Sequence, residues 1–232
     1  MSTVLQEIEV EQPTPATLEV CETFYSIQGE GVRAGTPTLF IRLARCNLRC
    51  AWCDTKYSWE RGEAKDVEEI ARFAREHDPP VRNIDITGGE PMLWRRALAS
   101  LFPALRDHEV EVETNGTIMP LAFDHVTYNV SPKLANGGDP LALRIRMQVL
   151  REYARLRSYF KFVVRGEDDV RELVPLVDEL GVPPERVLLM PECQTREEYR
   201  ARAPVAAELA KGHGFLPSPR LHIEMWDGER GK

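Results

Sequence analysis

Within eight positions the chain carries Cys46-Asn47-Leu48-Arg49-Cys50-Ala51-Trp52-Cys53, three thiols spaced C-x3-C-x2-C. Each can become a thiolate, and thiolates select soft iron or zinc. A single turn of loop suffices to point all three inward, so the surrounding fold must present that loop to a protected space. The count of three is informative, because a structural zinc site or an ordinary electron-transfer cluster takes four protein ligands. Three leave one metal position open, and an open position is where a substrate or cosubstrate binds. Two plainer readings stand beside this one: a zinc knuckle completed by a distant His77 or Cys193, and three unrelated buried cysteines.

Composition narrows the setting. At 232 residues the chain suits one large domain with a substantial core. A formal charge of -7 argues against a nucleic-acid-binding surface. Five cysteines, an odd number with three clustered, do not form a disulfide framework and suit a reducing cytoplasm. Cys21 and Cys193 read as buried small residues. The segment through Pro15 lacks the basic start and apolar run of a signal peptide, and no stretch approaches the roughly 20 apolar residues of a membrane span. A soluble, cytoplasmic protein with no nucleic-acid or membrane partner is expected, with residues 1–17 as a flexible extension and 18–232 as a single domain.

Read in order, the chain gives a strand over 18–25 and then Ser26-Ile27-Gln28-Gly29-Glu30-Gly31, a turn whose glycines let backbone approach a ligand; a hairpin turn is the bland alternative. A strand over 36–43 ends beside the cysteine loop, with Arg42 near its exit. Asp66 followed by Glu69 gives a capping-box opening to a helix that ends before Asp78-Pro79-Pro80. From there strands over 83–87, 110–114, 126–130, 159–164, 186–190 and 220–226 alternate with helices over 93–105, 140–154, 168–180 and 195–211. Such alternation argues for parallel βα units.

Placement then matters more than any one motif. Cys53-Asp54-Thr55, Thr87-Gly88-Gly89-Glu90-Pro91, Glu113-Thr114-Asn115 and Ser131-Pro132-Lys133 all follow the C-terminal ends of predicted strands. In parallel α/β folds ligands bind along that rim. In Thr87–Pro91 the paired glycines let backbone reach an amino-acid-like ligand, Glu90 can accept from an ammonium, and Pro91 starts the next helix at a permitted position.

The cysteine triplet, with Trp52 before its last member, and the Gly-Gly-Glu-Pro turn resemble the signatures of the radical S-adenosylmethionine (SAM) superfamily. That resemblance implies a 4Fe-4S cluster with three cysteine-bound irons, a fourth iron that takes the amino and carboxylate groups of SAM, and reductive cleavage of SAM to an adenosyl radical. It also implies an α/β fold, an incomplete parallel βα barrel with trimmed helices.

From residue 20 to the C-terminus, the run Phe24–Gly31, Arg42, Cys53-Asp54-Thr55, Glu113–Gly116, Ser131–Lys133 and His222 resembles the 7-carboxy-7-deazaguanine synthase family. The resemblance implies a lyase that converts 6-carboxy-5,6,7,8-tetrahydropterin to 7-carboxy-7-deazaguanine by ring contraction with loss of ammonia, in the biosynthesis of queuosine and other 7-deazapurines. Carried over by position, Cys46, Cys50 and Cys53 hold the cluster. Trp52, Asp54, Gly89, Glu90, Ser131, Pro132 and Lys133 lie along SAM. Ile27, Gln28, Gly29, Glu30, Arg42 and Thr87 hold the pterin and its carboxylate, and Thr55 binds Mg2+. No protein side chain is expected to act as the catalytic group, since SAM supplies the radical. Glu113 and His222 are candidate pterin contacts, with a solvated acid and a packed histidine as the alternatives, and Met190-Pro191-Glu192 is a candidate SAM contact. An electron donor such as flavodoxin or ferredoxin is implied, and burial of an exposed sheet edge by a second copy makes a homodimer expected. The rival readings are a radical SAM activase that installs a glycyl radical in a partner protein, and a zinc-binding interaction module.

Overall fold

Alternation along the strands decides the architecture. In Asn83-Ile84-Asp85-Ile86 and Glu109-Val110-Glu111-Val112-Glu113 the aliphatic residues fall on one face and the acids on the other. A computed structural model of the chain describes residues 17–232. Residues 1–16 of the expected extension lie outside the described residues, and Thr17 already belongs to the first strand.

The elements run β1 (Thr17–Ile27), β2 (Pro37–Leu43), β3 (Glu63–Asp66), α1 (Val67–Arg75), β4 (Asn83–Gly88), α2 (Arg95–Ala104), β5 (Glu109–Thr114), β6 (Val126–Val130), α3 (Leu141–Arg144), α4 (Met147–Arg155), β7 (Ser158–Val164), α5 (Glu167–Leu180), β8 (Val187–Pro191), α6 (Arg196–His213), β9 (Leu216–Pro217) and α7 (Leu221–Trp226). One sheet collects the strands in the order β3-β1-β2-β4-β5-β6-β7-β8-β9. From β2 to β9 every pairing is parallel, while β1 is antiparallel to both of its neighbours. Strands β3 and β9 do not pair, so the sheet curves without closing and forms the expected partial barrel.

The helices cover the aliphatic face. Ile84 and Ile86, Val110 and Val112, Phe160 and Phe162, and Val187 and Leu189 pack into one core with Ile70 of α1, Leu98 and Phe102 of α2, Tyr153 of α4 and Leu173 of α5. The opposite face of the same strands carries Asp85, Glu111, Glu113, Asn129 and Lys161. A register shift between Val20 and Glu22 marks a β-bulge in β1. It turns Leu18 and Val20 toward the core but sends Glu22 and Phe24 to the polar face, where Phe24 stacks on Phe40 at 4.8 Å.

Three local expectations are corrected. The strand expected over 220–226 is α7, and the last strand is the two-residue β9. Period-2 alternation in Leu221-His222-Ile223-Glu224 imitates a strand, but Pro219 has no backbone N–H for a ladder, and helical bonds such as Ile223 N to Arg220 O at 3.0 Å take over. Helix 140–154 is two pieces, broken at Ile145-Arg146. Asp66 sits at the N-cap without a side-chain cap bond, and Glu69 accepts from Lys65 Nζ at 3.1 Å, so no capping box forms.

Trp94 ties this core to the cysteine loop. Its ring is buried and its Nε1 donates to Ala44 O at 2.9 Å, two residues before Cys46. Trp94→Ala is expected to lower unfolding stability by about 3–5 kcal/mol. Trp94→Phe, which keeps most of the bulk but strands a buried carbonyl, should lose about 1–3 kcal/mol. Urea unfolding of both variants checks the order.

Candidate active site

The loops after the parallel strands meet around a cavity of about 420 Å³ on the concave, polar side of the sheet. Its organising contact is a crossing of two backbones. After β2 the chain passes through Arg45, whose φ of 70° lies in the left-handed region that non-glycine residues seldom adopt. Glu19 holds the Arg45 guanidinium with two bonds of 2.6 and 2.9 Å, and Arg45 N donates to Ser58 O at 2.6 Å. The Gly88-Gly89 turn presses against this corner: Gly89 N donates to Leu43 O at 3.1 Å and Glu90 N to Arg45 O at 2.8 Å. A Cβ on Gly89 would fall 2.1 Å from Arg45 O and 2.9 Å from Cys46 Cβ, so no side chain fits there.

The Glu90 carboxylate is fully buried and accepts from Met92 N at 2.9 Å, Thr114 Oγ1 at 2.7 Å and Asn115 N at 2.7 Å. It fastens the β4 turn to the end of β5 and leaves the Gly88-Gly89 backbone facing the cavity. Further along the cysteine loop, Asn47 donates to Thr117 Oγ1 at 2.8 Å and accepts from Asn115 Nδ2 at 2.9 Å. Ala51 N donates to Gly137 O at 2.9 Å and Trp52 Nε1 to Asn136 Oδ1 at 3.0 Å. Lys133 Nζ lies 5.4 Å from the Trp52 ring centroid and donates to Ser131 Oγ at 2.8 Å.

All three loop cysteines border the cavity. Burial pushes the Cys46 thiol up to about 12 and the Cys50 thiol up to about 11, so both stay protonated until a metal displaces the proton. Among the described residues no three His, Cys, Asp or Glu side chains converge on one metal-ion position, as a zinc knuckle would require. His77, its candidate fourth ligand, lies against Tyr25 at the other end of β1 with the two rings tilted, and its Nδ1 is 2.9 Å from Pro79 O. A cubane cluster makes a different demand, one thiolate on each of three irons, and the donor set fits it.

A chain of charges borders the same cavity. Glu30 accepts from Lys161 Nζ at 2.6 Å and from Arg220 Nε at 3.0 Å. Lys161 also donates to Glu113 at 2.8 Å, and Arg220 donates to Asp54 and to Cys193 O. Burial alone would raise the Glu30 carboxyl, but Lys161 and Arg220 hold it well below the carboxylate range. Burial opposes charge on His222 as well and keeps its imidazole below its usual value. His222 packs directly on Gly29, where a Cβ would fall 2.1 Å from its Nδ1. Arg42 gives Nε to Glu22 at 2.8 Å, and Tyr57 donates to the same oxygen at 2.8 Å.

Comparison with known proteins identifies the arrangement. The radical SAM superfamily pattern matches residues 40–190. A 7-carboxy-7-deazaguanine synthase of Pyrobaculum aerophilum is 42% identical over 223 residues, covering 93% of this chain and 97% of that protein. One of Halobacterium salinarum is 37% identical, covering 90% and 91%. This chain belongs to the 7-carboxy-7-deazaguanine synthase family. Membership makes it an enzyme of the radical SAM type, a lyase, and implies a 4Fe-4S cluster and SAM. The crystal structure of QueE from Escherichia coli superposes with a TM-score of 0.62 at 25% identity, over 87% of this chain and 93% of that one. SuiB of Streptococcus suis, at 13% identity and a TM-score of 0.56, shares the fold. The relatives carry the synthase name, and the activase alternative is not favoured.

Within this family member, the residues singled out from sequence gather at one place. All border the cavity except Glu90 and Pro132, which lie behind its wall; of Met190-Pro191-Glu192 the two outer residues border it. Sequence reasoning missed Lys161, Arg220 and Asp85. Lys161 and Asp85 had a signal, each being a single charge alternating with aliphatic or aromatic residues in a strand whose other face is core.

Gly89→Ala is expected to leave the helical circular dichroism intact while reducing reconstituted iron at least several-fold, read from visible absorption and iron content. A second expectation concerns Glu111. Burial, with Glu113 next, pushes its carboxyl up to about 7 from an ordinary 4.5. The folded state therefore binds more protons than the unfolded chain between those values, and stability falls as pH rises through that window. Glu111→Gln should flatten the decline, as measured by urea unfolding at pH 5 and pH 8.

Proposed function

We propose that this chain converts 6-carboxy-5,6,7,8-tetrahydropterin to 7-carboxy-7-deazaguanine, contracting the six-membered ring to five and releasing ammonia. The observation that carries the reading is that three thiols, with no fourth protein ligand among the described residues, border the same cavity as a network of fixed charges. Cys46, Cys50 and Cys53 hold the cluster. Trp52, Asp54, Gly89, Ser131 and Lys133 border the SAM side. Gln28, Glu30, Arg42, Thr87, Glu113 and His222 form the heterocycle side, with the Ile27 and Gly29 backbone at its edge.

Held by Cys46, Cys50 and Cys53, the cluster would, together with SAM, supply radical chemistry at the pterin. The protein's tasks are to hold the reacting atoms near contact and to keep water out. Arg42, with Glu22 and Tyr57 fixing one side of its guanidinium, suits a bidentate grip on the substrate carboxylate. Glu30 and Glu113, clamped by Lys161 and Arg220, present acceptors to ring N–H groups. Thr55 would offer a hard oxygen to Mg2+. Residues 18–232 act as one domain in the cytoplasm and take electrons from a flavodoxin- or ferredoxin-type donor. A second copy joins through an exposed sheet edge, making a homodimer.

Anaerobic reconstitution followed by mass spectrometry tests the reading, with reductant, SAM, Mg2+ and the pterin present and no partner protein. Product in excess of SAM consumed is expected; SAM cleavage with the pterin untouched would remove the substrate assignment. Cys50→Ala should lose the visible cluster absorption and all turnover.

A further inference from the structure

The floor of the cavity holds a group that this reading leaves without a task. Asp85 of β4 is 2% exposed and borders the cavity. Its Oδ2 accepts from Gln28 Nε2 at 2.7 Å, and its Oδ1 is buried with no hydrogen-bond partner. A buried polar oxygen without a partner is destabilising, typically by about 1–3 kcal/mol, and such groups persist where something else satisfies them.

The surroundings fix which form of the acid this is. Glu111 sits directly across from Asp85 in the β4–β5 register, and Glu113 follows on the same face of β5. Lys161 of β7 is the nearby cation, but it is already bonded to Glu30 and Glu113; Arg33 lies 3.4 Å from Glu111. From β2 the same face carries Thr38, Phe40 directly beside Asp85 and, two residues on, Arg42, which is bonded to Glu22. Burial and the two glutamates hold the Asp85 carboxyl well above the usual carboxylate range. Because Oδ2 accepts from an N–H, the proton of the neutral acid belongs on Oδ1. That oxygen is then a donor with nothing to donate to.

We infer that Asp85 is a specificity-determining residue whose Oδ1–H donates a hydrogen bond to an acceptor atom of the bound heterocycle, either a carbonyl oxygen or an unprotonated ring nitrogen. The inference rests on the pterin reading and deepens it. Asp85 also sets the Gln28 amide: with Nε2 directed to Asp85, Gln28 Oε1 is left to accept from Glu30 N at 3.2 Å. One neutral acid therefore orders the turn that carries four predicted substrate contacts.

The test compares Asp85→Asn and Asp85→Ala in the reconstituted holoenzyme, with cluster absorption and SAM binding as controls for folding. Asn can accept from Gln28 through its oxygen and still donate through Nδ2. Asp85→Asn should therefore keep kcat/KM for 6-carboxytetrahydropterin within about threefold, whereas Asp85→Ala should raise KM by roughly 5- to 150-fold. The wild type should lose kcat/KM at alkaline pH as the acid ionises, and Asp85→Asn should lack that limb. An Asn variant as impaired as the Ala variant, or one with the wild-type alkaline limb intact, would overturn the inference. Failure of the wild type to turn over the pterin at all would instead remove the functional reading.

Discussion

The site depends on a backbone crossing. Where the Gly88-Gly89 turn meets the Leu43–Cys46 segment, two main chains approach so closely that a single methyl group at Gly89 would collide with a carbonyl oxygen. The cysteine loop is hung from that contact. Arg45 is held in a left-handed conformation by Glu19 on one side and by the crossing on the other, and Cys46 follows immediately. Glu90 stands behind the crossing as a buried carboxylate with three donors, which is what a low-dielectric interior requires of such a group. The motif thus does its work as a brace and presents backbone to the ligand.

The cavity divides into two ends joined by one guanidinium. Asp54 belongs to the cysteine loop and Glu30 to the turn after β1, and Arg220 from the segment preceding α7 donates to both. The open sheet makes this possible, since the last strand is only two residues long and the chain folds back across the mouth of the barrel as a helix. Leu221 N donates to Gly29 O at 2.9 Å and Gly31 N to Ser218 Oγ at 2.9 Å, so the C-terminal segment and the substrate turn are stitched together. Buried ion pairs of this kind are weak evidence for stability. Their value here is positional, because five charged side chains of one network are fixed around a space sized for small molecules.

Much of this was legible in the sequence. The cysteine spacing, the Gly-Gly-Glu-Pro turn and the rim positions of Asp54, Glu113 and Ser131 all sit where parallel βα alternation puts them. What escaped reading did so for physical reasons. Alternation in Leu221–Glu224 has the period of a strand, yet Pro219 had already ended the ladder, and His222 reaches the site from a helix. The burial of Glu90 was not legible either, because two of its three donors, Thr114 and Asn115, come from residues distant in sequence that only the fold assembles. Lys161 and Asp85 were passed over because a strand with alternating charge is normally half exposed, whereas in a barrel the second face is also enclosed.

The most direct test of the account is electron paramagnetic resonance of the reduced, reconstituted protein with and without SAM. Three thiolates and an open fourth iron predict a 4Fe-4S signal whose g-values shift when SAM binds, with the shift absent in Cys50→Ala. A colourless zinc protein, or a cluster whose spectrum is indifferent to SAM, would contradict the claim that this loop holds a cluster with one position open to the cavity.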